Sequence, residues 1–166
     1  MRRIRVIPLL LIQNGGLVKS IKFKNHNYIG DPINAVKIFN EKEVDEIAIL
    51  DISATKEKRG PNFAQIKDIA GEAFMPFSYG GGITNLEEVK ELLYNGVEKV
   101  ILNTSALDRL GLISEIAGQF GSQSAVVSID VKKDWLGAYK VFRNNGGKKT
   151  SLSPIMFAKQ VEAAGA

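Results

Sequence analysis

Two aspartates stand where an apolar run gives out. AILDIS ends such a run at Asp51, and VVSIDV ends another at Asp130. A carboxylate at the end of a buried strand is costly without a partner or a task. Such a group can bind a ligand or move a proton, or it can accept hydrogen bonds from nearby loop amides. Between the two, SYGGGIT places Gly80, Gly81 and Gly82 after a third apolar run. Glycines without side chains let backbone amides close on an anion, although a tight turn would use them equally well. NTSA follows the next run, and Asn103 and Thr104 offer amide and hydroxyl groups at the corresponding place. Gly81, Gly82, Asn103 and Thr104 together describe a phosphate cradle built from two neighbouring loops. At the opposite ends of the runs, RVIPLL, EIAIL and KVILN begin with Arg5, Glu46 and Lys99. Charges at one level form either an ion-pair ring closing the core or a gate on a path through it.

These residues need a scaffold that brings strand ends together. Five short runs rich in Val, Ile and Leu span Arg5–Ile12, Glu46–Ile52, Met75–Gly80, Lys99–Asn103 and Ala125–Asp130. They do not alternate, which is the composition of parallel strands covered on both faces. Helical patterns separate them. Asp31-Pro32 starts one with an acidic cap and a proline in the first turn. A second spans about 63–70. Thr84 to Glu87 has a capping-box arrangement and leads to a stop at Asn95-Gly96. A fourth runs over about 106–120, and a fifth from Ser153-Pro154 to about Ala164. Five βα units in succession predict a parallel sheet with right-handed crossovers. No Gly-x-Gly-x-x-Gly follows the first strand, which weakens the dinucleotide-binding open sheet. The reading is α/β, a (β/α)₈ barrel of which this chain holds about the first five units. A full barrel needs about 250 residues, and VEAAGA stops where a sixth strand would begin. Residues 1–166 are read as one domain. A hairpin-like insertion covers about 132–151, with strands at Trp135–Leu136 and Tyr139–Phe142 and turns at Gly137 and Gly146-Gly147. Loops after barrel strands carry active sites, so this insertion is placed over a ligand.

Composition narrows the function. The 166 residues are 45% hydrophobic and 24% charged, enough for one core. The net charge of +4 favours anionic ligands. The cations form no basic stripe interleaved with aromatics, so no nucleic-acid partner is expected. Absence of cysteine removes disulfides, thiolate catalysis and zinc–thiolate sites. His26 is the only histidine and sits in a polar stretch, FKNHNYIGD, so a metal is not expected. The basic-then-apolar start MRRIRVIPLLLIQNG is interrupted by Arg5 and Pro8 and reads as a strand rather than a leader. No segment is long enough to span a membrane. A cytoplasmic protein without a membrane partner or a cofactor is the expectation. Phe77 and Tyr79 read as packing groups, and Lys56, Lys58 and Arg59 as an exposed basic loop.

RVIPLLLIQNGGLVKS, ILDISA, PFSYGGGI, GVEKVILNTSA and FGSQSAVVSIDVK, in this order and spacing, resemble the cyclase subunit of imidazole glycerol phosphate synthase. The resemblance covers the whole chain. It implies a (β/α)₈ barrel paired with a glutaminase subunit. Ammonia would travel through the barrel to a bisphosphorylated ribonucleotide at the top. The products would be imidazole glycerol phosphate and a carboxamide ribonucleotide. By the same resemblance, Gly82, Asn103 and Thr104 belong to a phosphate site and Asp130 is a general acid/base. Asp51 is an active-site acid, and Lys19 lies on a mobile loop after the first strand. Arg5, Glu46 and Lys99 are three members of the ammonia gate.

One position departs. The family's second catalytic aspartate belongs at the end of the first strand, where this chain has Leu11, and Gln13 and Asn14 are neutral where the pattern is charged. A general acid–base group contributes about 10² to 10⁴ in rate. The gate is kept while that acid is gone. The LLL stretch and NGG turn resemble the paralogues of surface-polysaccharide clusters, implicated in converting an acetamido group of a nucleotide-linked sugar to an acetamidino group. That reading stands first. A true histidine-pathway cyclase stands second, and a non-catalytic channel that docks the glutaminase third. An unrelated phosphate-binding barrel, such as a sugar-phosphate isomerase, would need no charged ring below.

Overall fold

A computed structural model describes residues 4–21, 24–143 and 147–166. The first strand, β1 (Leu9–Gln13), runs into Asn14 and Gly15, both at positive φ, 52° and 80°. Two such residues make the hairpin turn whose twist matches paired strands. The chain therefore doubles back as β2 (Gly16–Ile21), with Leu11 opposite Val18 and Gln13 opposite Gly16. A further antiparallel strand, β3 (Lys24–Gly30), pairs with β2. From there the pattern is strand, helix, strand: α1 (Pro32–Glu41), β4 (Ile47–Asp51), α2 (Phe63–Glu72), β5 (Phe77–Gly80), α3 (Leu86–Tyr94) and β6 (Lys99–Leu102). Next come α4 (Thr104–Asp108), α5 (Gly111–Phe120), β7 (Ala125–Val127), the ribbon β8 (Asp130–Lys133), β9 (Tyr139–Arg143) and β10 (Lys148–Lys149), and α6 (Pro154–Ala163).

Caps explain where the helices start. Asp31 accepts from the Asn34 amide at 2.9 Å, Asn85 from Glu88 at 2.9 Å and Ser153 from Met156 at 3.2 Å. Each satisfies an amide that the first turn leaves without a partner.

The large sheet has the order β3-β2-β1-β4-β5-β6-β7, and β1, β4, β5, β6 and β7 are parallel neighbours. Among these parallel strands spatial order follows chain order, so every crossover goes the same way and no switch point exists. That winding puts the helices on one face and is a sector of a (β/α) barrel, not a doubly wound sheet. The core lies on the helix side, where Ile12, Ile47, Ile49, Phe77, Tyr79, Val100 and Leu102 meet Val36, Ile66, Val89, Leu92 and Ile116. Period-two alternation sends Leu9, Leu11, Leu50 and Ile101 to the other, concave face.

Four local expectations change. The polar stretch after the first strand is an antiparallel ribbon, because the Asn-Gly turn sets a hairpin. The first strand begins at Leu9 rather than Arg5; Pro8 has no amide to give the ladder. The helix read over 106–120 is two, broken at Arg109, whose backbone is extended (φ −149°, ψ 86°). Trp135 and Leu136 sit in the turn rather than on a strand. Asp134 closes that turn by accepting from the Leu136 and Ala138 amides, with Gly137 at φ 82°. Gly146 lies outside the described residues.

Candidate functional site

The C-terminal ends of four parallel strands converge on one cavity of about 740 Å³. Its wall includes Leu9 and Leu11 from β1, Asp51 at the end of β4, Gly80 at the end of β5 with 81–83 after it, 103–105 after β6 and Asp130 at the start of β8. Asp51, Gly81, Gly82, Asn103, Thr104 and Asp130 are thus brought together. Lys19 is not: alternation on β2 turns Ser20 to the cavity and leaves Lys19 exposed on the other face.

Asp51 is 7% exposed and fully engaged by its own chain. One carboxylate oxygen accepts from the Ser53 amide (3.0 Å), the Ser53 hydroxyl (2.9 Å) and the Ala54 amide (3.1 Å). The other meets the Arg59 guanidinium at 2.8 Å. Arg59 also donates to Ser53 Oγ at 2.8 Å and to Glu57 at 2.7 Å. Its pKa is raised, first by the hydrogen bond to Asp51. The aspartate therefore ties the loop 52–60 to the end of β4.

The glycine loop packs on that tied loop. A Cβ on Gly81 would lie 2.5 Å from the Asp51 carbonyl oxygen, and one on Gly82 2.6 Å from that of Arg59. Their φ values of 128° and 73° are the left-handed kind that side chains disfavour. Among the described residues, no carbonyl accepts from the amides of Gly81, Gly82 or Ile83. Those three residues line the cavity, and their amides have hydrogen-bonding capacity to spare. At the start of α3 the Glu88 carboxylate accepts from the Thr84 amide (2.7 Å) and hydroxyl (3.0 Å) and from the Asn85 amide (3.3 Å). Asn103 donates to the Ser128 carbonyl at 2.9 Å, linking the ends of β6 and β7. Thr104 donates to Asn103 at 3.3 Å and opens α4.

At the other ends of the strands, Glu46 is 5% exposed and bridges two cations. It pairs with Arg5, and Lys99 Nζ lies 2.6 Å from its second oxygen. β5 stands between β4 and β6 in the sheet, so the Glu46–Lys99 pair reaches across a strand. Arg5, Glu46 and Lys99 are one cluster, at the end away from the cavity.

Sequence reasoning missed four wall residues. Ser20 and His26 enter the cavity from the ribbon, and Lys58 and Arg59 from the loop after β4, with Lys58 at φ 53°. The signal for the first pair was the Asn-Gly turn, which predicts a hairpin and so an alternating face. Tyr79 packs in the core, and burial, followed by the Asp51 charge, raises its hydroxyl pKa. Among the described residues no cluster of His, Cys, Asp or Glu is placed to hold a metal, and no helix is long and apolar enough to cross a membrane.

Residues 5–166 match the family described as histidine biosynthesis protein. A Pseudomonas aeruginosa protein, named provisionally as imidazole glycerol phosphate synthase subunit hisF2, is 52% identical over 165 residues, 99% of this chain and 66% of its own length. A Vibrio vulnificus protein named provisionally as subunit hisF3 is 47% identical over 100% of this chain and 64% of its own. The imidazole glycerol phosphate synthase subunit HisF of an Exiguobacterium species is 44% identical over 98% of this chain and 63% of its own. The chain thus spans just under two thirds of the length of these curated relatives.

Proposed function

The chain belongs to the histidine biosynthesis protein family, and from that premise we propose that it is the synthase part of a glutamine amidotransferase complex. A glutaminase partner docks at the Arg5–Glu46–Lys99 end and releases ammonia there. The ammonia passes along the concave face to a phosphorylated acceptor in the cavity. Gly81, Gly82, Asn103 and Thr104 hold a phosphate of that acceptor through backbone amides and short polar side chains. Asp130 moves the proton as nitrogen adds to an electrophilic carbon. Asp51 and Arg59 position the glycine loop and act on the ligand through it. Lys19, outside the wall in this arrangement, contacts a ligand only if the ribbon folds inward.

One observation favours a changed acceptor over the histidine-pathway nucleotide. Leu11 lies in the cavity wall, with Leu9 and Leu50 beside it, where the family pattern has a carboxylate. Leucine cannot transfer a proton, so imidazole-ring closure lacks one of its two acid–base groups. We therefore read the chain as diverged toward amidination of a surface sugar in the cytoplasm. The 44% identity to a relative named as the synthase subunit itself keeps the histidine-pathway cyclase as the second reading.

Ammonia-dependent turnover of the histidine-pathway nucleotide tests the choice. The expected rate is about 10² to 10⁴ below that of a cyclase with both acids, and Leu11→Asp should raise it. Rapid cyclisation with leucine in place would overturn the diverged reading. A rate that Leu11→Asp leaves unchanged would show that the acceptor differs at more than this one group.

A further inference from the structure

The charged side chains of the cavity wall are mostly spent on the protein itself. Asp51 and Arg59 meet at 2.8 Å, Glu88 holds the start of α3, and Asp108 pairs with Arg143. Lys58, Asp130 and His26 complete the titratable set of the wall among the described residues. Lysine as an ammonium only donates. Imidazole both gives and takes a proton near neutrality, which makes it the commonest acid–base group. His26 is the protein's only histidine, and the reaction proposed above leaves it without a task.

Its position supplies one. Lys19 is opposite Asn27 on the β2–β3 ribbon, so alternation puts Ser20 and His26 on the other face. Lys19 and Asn27 are exposed, whereas Ser20 and the half-buried His26 line the cavity. β3 is the last strand at one margin of the large sheet, and β8 follows β7, the last strand at the other margin. The concave sheet brings both margins onto one cavity, with the glycine loop after β5 between them. A ligand whose phosphate sits on that loop has His26 on one flank and Asp130 on the other. Leu9 and Leu11 bring no proton to the His26 side.

Adding ammonia to a carbonyl carbon moves two protons. The nitrogen lone pair forms the C–N bond, and the C=O π pair moves to oxygen. The new ammonium then loses one proton and the oxygen gains one, giving a carbinolamine. A carboxylate suits the first transfer and an imidazolium the second. We propose that His26 touches the acceptor, a phosphorylated carbonyl compound, opposite Asp130 and gives this second proton. The proposal rests on the reading of the cavity as an acceptor site and specifies the class of acceptor. His26 stands on the ribbon rather than at position 11, so it serves ammonia addition and does not stand in for a carboxylate there.

Ribulose phosphate, an open-chain phosphorylated ketone, is the probe, and orthophosphate is the reference. In NMR spectra of the intact chain both should shift the Gly82 amide. Only the sugar phosphate should shift the imidazole C–H lines, which a single histidine makes unambiguous. His26→Gln should weaken ribulose phosphate about tenfold in titration calorimetry, as expected for one bond to a charged group, and orthophosphate less than about twofold. Asn27→Gln, on the far face, should change either by less than about twofold. With ammonium and saturating ribulose phosphate, the carbinolamine loses water to an imine, which cyanoborohydride fixes as an amine. Wild type should form that amine about 10² faster than His26→Gln; a residue that only shapes the wall would alter binding and not this rate. Imidazole lines that ignore ribulose phosphate, or equal trapping rates, would overturn the proposal, while a Gly82 shift keeps the cavity reading. No Gly82 shift with either probe sinks both. The wild-type spectra involve no substitution, so they decide even where a variant misfolds.

Discussion

Asp51→Asn isolates what the buried carboxylate does. Asparagine keeps the shape and one carbonyl oxygen, so the bonds from Ser53 and Ala54 can persist. What is lost is the 2.8 Å contact with Arg59, where an amide NH₂ would now face a guanidinium. Removing one partner of a buried pair costs about 3–5 kcal/mol. Arg59 is 35% exposed and can recover part of that from water, which brings the expected loss to about 2 kcal/mol. For a chain of this size, about 2–4 °C per kcal/mol gives a melting temperature lower by roughly 4–8 °C. Urea denaturation of Asp51→Asn, Arg59→Gln and the double variant should show a coupling of about 1–2 kcal/mol. Strictly additive losses, or a single loss under about 0.5 kcal/mol, would refute the view that this pair ties the loop beneath the glycines.

Gly82→Ala should destabilise by about 2–4 kcal/mol in the same assay, because φ is 73° and the Arg59 carbonyl oxygen would sit 2.6 Å from the new Cβ. Gly118→Ala, inside α5 with open space at its Cβ, should instead gain about 0.5–1 kcal/mol. Tyr79 holds its proton in the fold beyond the pH at which an unfolded tyrosine, near 10, gives it up. Its contribution is whole below that pH and drains as pH rises through the alkaline range. Among the described residues the buried Tyr79 hydroxyl has no partner in good hydrogen-bond geometry, so Tyr79→Phe should leave neutral stability unchanged or raised. The same substitution should flatten the alkaline loss in melts above pH 10.

The parallel strands and the helices between them were legible because their signals are local. Apolar runs mark β4, β5 and β6, and Asp31-Pro32, Asn85 with Glu88, and Ser153-Pro154 mark helix starts. The ribbon β2–β3 was not, because its strands carry as many polar as apolar residues. KSIKFKNHNYIG reads as a loop until the Asn14-Gly15 turn is given its hairpin meaning. His26 was misplaced with it. That Asp51 could accept from loop amides was legible, and it does so from Ser53 and Ala54; its pairing with Arg59 escaped for another reason. Nothing in AILDISATKEKRG says that the arginine eight positions on will fold back onto the aspartate, since that depends on how Gly81 and Gly82 let the two loops touch. The cation–carboxylate–cation cluster below the strands was legible, because parallel strands in register put the residues leading into them near one level.

The same geometry explains why position 11 can carry a leucine, in place of the carboxylate that the proposed function expects of a cyclase, without loss of fold. Three polar groups of the site hold backbone: Asp51 its loop, Glu88 the start of α3, Asn103 the carbonyl at Ser128. Leu11 holds none. It adds an apolar patch to a wall already formed by Leu9, Leu50 and Ile101, and its neighbours gain by the change. An aspartate restored there must ionise against that apolar surface, and desolvation raises the pKa of such a group. Any ring-closing activity returned by Leu11→Asp as a general base should therefore rise with pH through a midpoint above the ordinary aspartate value near 3.9. A pH–rate profile of the variant is the measurement. A midpoint at or below that value would mean that cations such as Lys58 and Arg59 reach the aspartate, and that the wall around position 11 is wetter and more charged than its residues imply.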